Sequence, residues 1–217
     1  YTPAGGGPSV WYYASIFKNA ASVQTLCVHR SVDGGVTWAG PFEVTSASTV
    51  GRSADKEWMA VDPETGRVFI AWTDFPSSGT NSMKVTFSDT QGASWSVAAT
   101  VGTNGQGSSI AVSPSNTNVY VTWYGFSGSS TALWSSRSVN NGTSWQGPTL
   151  VHVYNQVLPP YGFDRFNSYP SVAVNPSNGD VVVVHSASQN GTASSDLQDV
   201  YFSKSSDAGQ TWSNVSP

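Results

Sequence analysis

Along the chain, short runs of alternating apolar and polar residues are separated by clusters of turn-forming residues, and no stretch repeats its apolar positions at helical spacing. The clearest unit runs WMAVD at 58–62, a PETG turn at 63–66, VFIAW at 68–72, MKVTF at 83–87 and an outer segment near 96–101. That pattern predicts four antiparallel strands. It returns as IAV at 110–112, PSNT at 114–117, VYVTW at 119–123 and LWSSR at 133–137, and again as VAV at 172–174, PSNG at 176–179, VVVV at 181–184 and VYF at 200–202. A four-stranded unit repeated in this way predicts an all-β fold, a β-propeller of antiparallel blades.

Four octets mark the third-to-fourth hairpins: SVDGGVTW at 31–38, SDTQGASW at 88–95, SVNNGTSW at 138–145 and SSDAGQTW at 205–212. They share the pattern S-x-[DNT]-x-G-x-[ST]-W. In a hairpin turn an Asp or Asn side chain accepts hydrogen bonds from nearby backbone N–H groups, and Gly supplies a positive φ. Asp33, Asn140 and Asp207 are therefore expected to cap the turns, with Trp38, Trp95, Trp145 and Trp212 packed beneath them. Thr90 stands at the capping position of the second octet, a change that a catalytic carboxylate could not accept but a cap can. The octets resemble the Asp-box, or bacterial neuraminidase repeat, of sialidases and related propellers, and the resemblance reaches nearly the whole chain. Blades are expected at about 8–50, 54–102, 105–152 and 167–217.

The first and last of these units read as incomplete. Only nine residues precede the run VWYY at 10–13, which aligns with a second strand, and the last unit stops soon after Trp212. Rings of six to eight blades are usual for this resemblance, so the 217 residues are expected to form part of a larger ring, and the deficient edges to allow self-association. The first residue is Tyr1 and not Met, which fits a processed product or a segment of a longer chain.

Composition narrows the function classes. Only 10% of residues are charged, and Ser, Thr, Asn and Gly fill the surface positions, a balance common in secreted β-proteins. With three N-x-[ST] sequons at Asn141, Asn190 and Asn214, it leads to an expected extracellular location, secreted or at the cell surface. The net charge of −4 is scattered, so no basic stripe exists for nucleic acid, and no apolar run is long enough for a membrane helix. Cys27 is the single cysteine and reads as a buried strand residue. His29, His152 and His185 fall far apart in the repeat, so neither a metal nor another cofactor is expected.

Blade topology puts the octets and the Pro-containing turns on one face and directs the search for a ligand to the other. The loops there carry Arg52, Asp55, Lys56, Glu57 and Trp58, then Asp74, and then Tyr161, Asp164, Arg165 and Tyr169. Arg30, Arg67, Arg137 and Lys204 fall on the octet face and read as structural or solvated. The resemblance implies a sialic acid carboxylate held by three arginines, an Asp acid, and a Tyr nucleophile activated by Glu. Carried onto this chain, it points to Asp55 as acid and to Glu57 with Tyr169 as base and nucleophile. No Arg is followed by Ile-Pro, and only Arg52 and Arg165 of the five arginines fall on the searched face. The expected function is therefore a non-catalytic propeller module that binds a glycan or an extracellular protein. The alternatives are an exo-α-sialidase or related glycoside hydrolase represented in part, and a structural subunit of an extracellular assembly.

Overall fold

The computed structural model describes residues 9–20, 22–45, 53–154, 169–187 and 199–215. Fifteen strands form four antiparallel sheets, and no helix occurs among the described residues. Sheet one contains β1 (Trp11–Lys18), β2 (Gln24–Ser31) and β3 (Ala39–Glu43) in the order β1-β2-β3. Sheet two contains β4 (Ser53–Val61), β5 (Val68–Phe75), β6 (Ser82–Ser88) and β7 (Ala99–Thr103), again in chain order. Sheet three follows the same plan with β8 (Gly105–Val112), β9 (Val119–Ser127), β10 (Ser130–Ser138) and β11 (Gln146–Tyr154). Sheet four has β12 (Ser171–Val174), β13 (Val181–Ala187), β14 (Asp199–Ser205) and β15 (Ser213–Val215). Its outer strand is present but only three residues long.

Sheets two and three bury both faces because a sheet stacks on either side of them, so their central strands are apolar almost throughout. Val68 to Trp72 and Val119 to Trp123 are buried along their whole length. Alternate side chains then serve successive seams. Leu26, Val28, Ile70 and Trp72 fill the seam between sheets one and two, and Phe69, Val85, Val121 and Trp123 fill the next. Tyr120, Leu133, Val183 and Tyr201 fill the third. Cys27 is buried within β2, as its apolar neighbours require.

The octets build four copies of one turn. In the first, Ser31 Oγ accepts from Gly35 N at 2.9 Å, and the Asp33 carboxylate accepts from Thr37 N at 2.9 Å and Thr37 Oγ1 at 2.6 Å. Those bonds, led by the Thr37 hydroxyl, hold the Asp33 carboxyl down at about 2. Asp207 repeats the arrangement with Thr211 and is lowered for the same reason. Asn140 Oδ1 accepts from Ser144 N at 2.9 Å, and in the second octet Thr90 Oγ1 accepts from Ser94 N at 2.8 Å. A hydroxyl therefore replaces the carboxylate there without loss of the turn's central bond.

The arginines read as structural or solvated do one specific task, tying each sheet to the octet of the next. Arg30 Nη1 donates to the carbonyl of Gln91 at 3.3 Å, Arg67 Nη1 to Asn141 O at 2.6 Å, and Arg137 Nη1 to Ala208 O at 2.8 Å. All three acceptors hold the fourth octet position, where the backbone has φ of 53 to 58°. Arg67 comes from a different strand position and reaches the same place by lying over the Phe87 ring, 3.9 Å from its centroid. Beneath these ties the octet glycines approach the preceding sheet so closely that a Cβ on Gly142 would fall 2.5 Å from the Phe69 ring.

Candidate functional site

At the opposite end of sheets two and three the first strands are bulged. Between Asp55 and Trp58, β4 carries one more residue than its partner β5, and β8 repeats the irregularity between Gln106 and Ser109 against β9. A bulge of this kind needs one residue at positive φ. In β8 that residue is Gly107, at φ 73°, whereas in β4 it is Lys56, at φ 57°, a conformation a lysine rarely adopts.

The two bulges converge on one aromatic ring. A Cβ on Gly107 would lie 2.0 Å from Cδ1 of Tyr169, so the absent side chain is what admits that ring. Gly107 N donates to Thr73 Oγ1 of sheet two at 3.0 Å, which fixes the bulge across the seam. Above the ring stands the Lys56 ammonium, 5.9 Å from its centroid. Lys56 in turn pairs with Asp55 Oδ2 at 3.1 Å, and Asp55 Oδ1 accepts from the Lys56 backbone N–H at 2.8 Å. Residues from sheets two and three and from the entry to sheet four thus meet at one place.

Glu57 follows immediately and is half-buried. Burial, and then the neighbouring Asp55 charge, push its carboxyl above the usual range despite an opposing backbone hydrogen bond and the Lys56 charge. Beside Gly107, Ser108 is buried and its Oγ has no hydrogen-bond partner among the described residues. Tyr124 on β9 lies close to the same ring, and burial raises its phenol above the ordinary value. The cluster therefore offers a carboxyl that holds its proton to higher pH, a compensated ion pair, a phenol and a buried hydroxyl. Asp55, Lys56, Glu57 and Tyr169 are the partly exposed members, and their hydrogen-bonding and stacking groups are of the kind that line ligand sites.

Of the residues singled out in the sequence, Asp55, Lys56, Glu57 and Tyr169 gather here. Trp58 follows the bulge, opposite Ala71, with half of its surface exposed. Asp74 stands elsewhere: it faces sheet one and lines a groove of about 410 Å³ with Gln24, Trp72, Lys84 and Trp95. Arg52, Tyr161, Asp164 and Arg165 lie outside the described residues. Gly107 and Ser108 were missed because a Gly-Ser pair carries no signal unless the β4 and β8 bulges are aligned first. Tyr124 is a core residue with 5% exposure, because β9 continues through it to Ser127.

The expectation that the histidines stay apart is overturned. His152 Nδ1 and His185 Nε2 lie 3.2 Å from each other. Strand β11 extends to Tyr154, far enough to meet β13 across the seam, and spacing within the repeat does not report contacts between repeats.

No family model matches the chain, and no curated protein matches it in sequence. Solved structures do match in fold. A Hadza microbial sialidase superposes with a TM-score of 0.56 at 17% identity, covering 91% of this chain and 37% of that one. A Trypanosoma rangeli sialidase, solved with sialic acid, gives 0.59 at 15% identity over 97% of this chain and 36% of its own. An α-L-arabinofuranosidase of Fusarium graminearum, solved with arabinobiose, gives 0.58 at 14% identity over 99% of this chain and 64% of its own. The chain thus spans about a third of the sialidases' length and under two thirds of the arabinofuranosidase's. The shared feature is the fold, a sialidase-like β-propeller.

Proposed function

We propose that the chain is the glycan-binding part of a secreted or cell-surface Asp-box propeller, and that the bulged end of its inner strands is the binding face. The observation that carries this reading is the convergence of Lys56, Gly107 and Tyr169 from three sheets on one place, beside the raised carboxyl of Glu57. The fold neighbours solved with sialic acid and arabinobiose support a saccharide as ligand. Binding without turnover is favoured because all three described arginines, Arg30, Arg67 and Arg137, are engaged at the octet end, and Lys56, the one cation at the bulges among the described residues, is already paired with Asp55.

A second reading, a partial exo-α-sialidase or related hydrolase, draws on the raised Glu57 carboxyl next in the chain to Lys56, whose ammonium stands over the Tyr169 ring. Calorimetric titration with sialyllactose and with arabinobiose separates the two. Binding that is lost in Tyr169→Ala and in Trp58→Ala, with no release from a fluorogenic sialoside or arabinoside, is the expected result. Turnover that falls in Glu57→Gln would replace the binding reading with the enzymatic one.

The array is further read as part of a ring of six to eight blades. Gly35 is half-exposed and Trp38 is 45% exposed, where the corresponding glycines of the later octets are buried, and Val200 and Phe202 are exposed on sheet four. Those outer faces support contact with further sheets of the same kind or, in an extracellular assembly, with neighbouring chains. Light scattering of the 217-residue chain tests the latter, since a strictly monomeric protein would remove self-association.

A further inference from the structure

The seam between sheets three and four differs from the other two in one respect. At the register position where sheet two carries Trp72 and sheet three Trp123, sheet four carries His185, which is 3% exposed and faces His152 of β11. Their ring centroids are 5.2 Å apart at 72°. Tyr154 lies 4.6 Å from the His185 ring, and Tyr201 lies 5.9 Å from His185 and 6.1 Å from His152. Two imidazoles and two phenols thus fill a place that elsewhere holds an indole.

We propose that this seam is an acid-sensitive latch: protonation of the His152–His185 pair loosens sheet four from sheet three and releases Tyr169 from the bulge cluster. At 3.2 Å one of the facing nitrogens donates and the other accepts, an arrangement that two neutral imidazoles satisfy with a single hydrogen between them. One added proton places a charge among buried rings. A second sets two N–H donors against each other. Neither can be answered by water without opening the seam.

Among the described residues the surroundings offer no compensating charge. Tyr124 from β9, Tyr154 from β11, Tyr201 from β14 and Tyr169 before β12 are phenols, which stay neutral in acid. Asp199 is half-exposed at the start of β14 and its charge acts on neither imidazole, whereas Arg137 stands at the octet end of the seam, bonded to Ala208. Lys204 points away and pairs with Asp180 at 2.6 Å. Strands β8, β12 and β13 add no other ionisable group. His185 Nδ1 and the Tyr154 hydroxyl are buried with no hydrogen-bond partner among the described residues, so a neutral hydroxyl is the most that the described pocket offers an added N–H, with no carboxylate to balance its charge. Burial accordingly pushes both histidines down, His185 to about 4, with the His152 charge adding to the effect.

The link to the bulge cluster is short. Tyr154 and Tyr169 both act electrostatically on Tyr124 or are acted on by it, and Tyr169 packs against the same apolar cluster as Tyr154, Val183 and Tyr201. Val172 N, at the start of β12, donates to Ser109 Oγ directly after the β8 bulge at 3.2 Å. Movement of sheet four therefore moves Tyr169. The consequence for ligand binding rests on the glycan-site reading above; the opening of the seam does not.

Hydrogen exchange followed by mass spectrometry on the whole chain, from pH 7.5 to 4.5 and corrected for intrinsic rates, tests the latch without any ligand. A folded-state proton deficit of one group gives about tenfold per pH unit, so exchange in β12–β14 and at Tyr169 is expected to rise on the order of 30- to 100-fold. Over the same range β5 and β6 should change by less than about threefold. In His152→Gln/His185→Gln the rise is expected to disappear; if that variant is unstable, His152→Gln alone should make the rise smaller, because it removes one titrating group and the charge that further lowers His185. Equal acceleration in all sheets, or an unchanged rise in the variants, overturns the proposal. Arabinobiose and sialyllactose binding measured at pH 7 and pH 5 forms a separate arm: no binding at either pH refutes the glycan reading, while the exchange result still decides the latch.

Discussion

The two ends of the sheets follow opposite rules. At the octet end every turn repeats the same bonds: Ser31, Ser88, Ser138 and Ser205 each accept from the Gly four residues on, and at three seams a guanidinium reaches the fourth octet carbonyl. At the bulged end the backbone repeats but the side chains do not, with Lys56 where Gly107 stands one sheet later. An interaction repeated at equivalent positions holds the seams. A difference at equivalent positions is where the fold's requirement is set aside for another purpose.

Filling the glycine bulge should break the contrast most severely. In Gly107→Val a β-branched side chain at positive φ would strike the Tyr169 ring, and a loss of roughly 4 kcal/mol is expected from strain and overpacking together. Gly34→Ala, at φ 75° with nothing within 4 Å, carries the backbone penalty alone, about 1 kcal/mol. Urea unfolding midpoints decide this. Equal losses would mean that Tyr169 does not depend on the bulge.

Acid should separate the ends next. His185 has a folded value lowered to about 4, below its unfolded one, so its neutral form stabilises the fold above pH 6.5. That contribution is lost as pH falls from about 6.5 to 4, on the order of 3 kcal/mol in all. The octet carboxylates are lowered as well, but for an acid the sign places the loss later: Asp33 keeps its contribution until pH falls below the ordinary Asp range toward about 2. Near-ultraviolet circular dichroism during titration should show a tyrosine change between pH 6.5 and 4, ahead of the octet transition. A single transition below pH 4 would contradict it.

What could be read in advance follows the same division. The octet string names its own structure, because Ser, Asp or Asn, Gly and Trp each have a task within eight residues, and the strand alternation supplied the sheets. Asp55, Lys56, Glu57 and Tyr169 were reachable by sorting loops to faces. Gly107 and the His152–His185 contact were not, since the first is visible only as an absence of Cβ and the second joins residues 33 apart across a seam. The Arg67 tie was hidden for a related reason, because its guanidinium replaces that of Arg30 and Arg137 from a turn and not from the third strand.

Removing a seam tie gives a smaller effect. Arg137→Met retains the apolar stem but loses the bond to Ala208 O, and about 1–2 kcal/mol is expected because the carbonyl is left without its charged donor. Arg67→Met should cost a similar amount through Asn141 O, with the Phe87 contact added. If the tie is common to the seams, thermal unfolding will show the two losses within a few tenths of a kcal/mol of adding.

The smallest expected change has the opposite sign. Lys56→Gly places the residue that β8 uses into the β4 bulge, relieving a lysine held at φ 57° and giving up a half-exposed ion pair with Asp55. The relief slightly outweighs the lost pair, so a gain of about 0.5 kcal/mol is expected, readable as a small rise in Tm. The same variant removes the ammonium above Tyr169 and should weaken saccharide binding several-fold. A protein made more stable and less able to bind would show that Lys56 is kept for the ligand and against the backbone. A variant that is less stable and still binds would make Lys56 a structural residue, and would return the second bulge to the same rule as the octets.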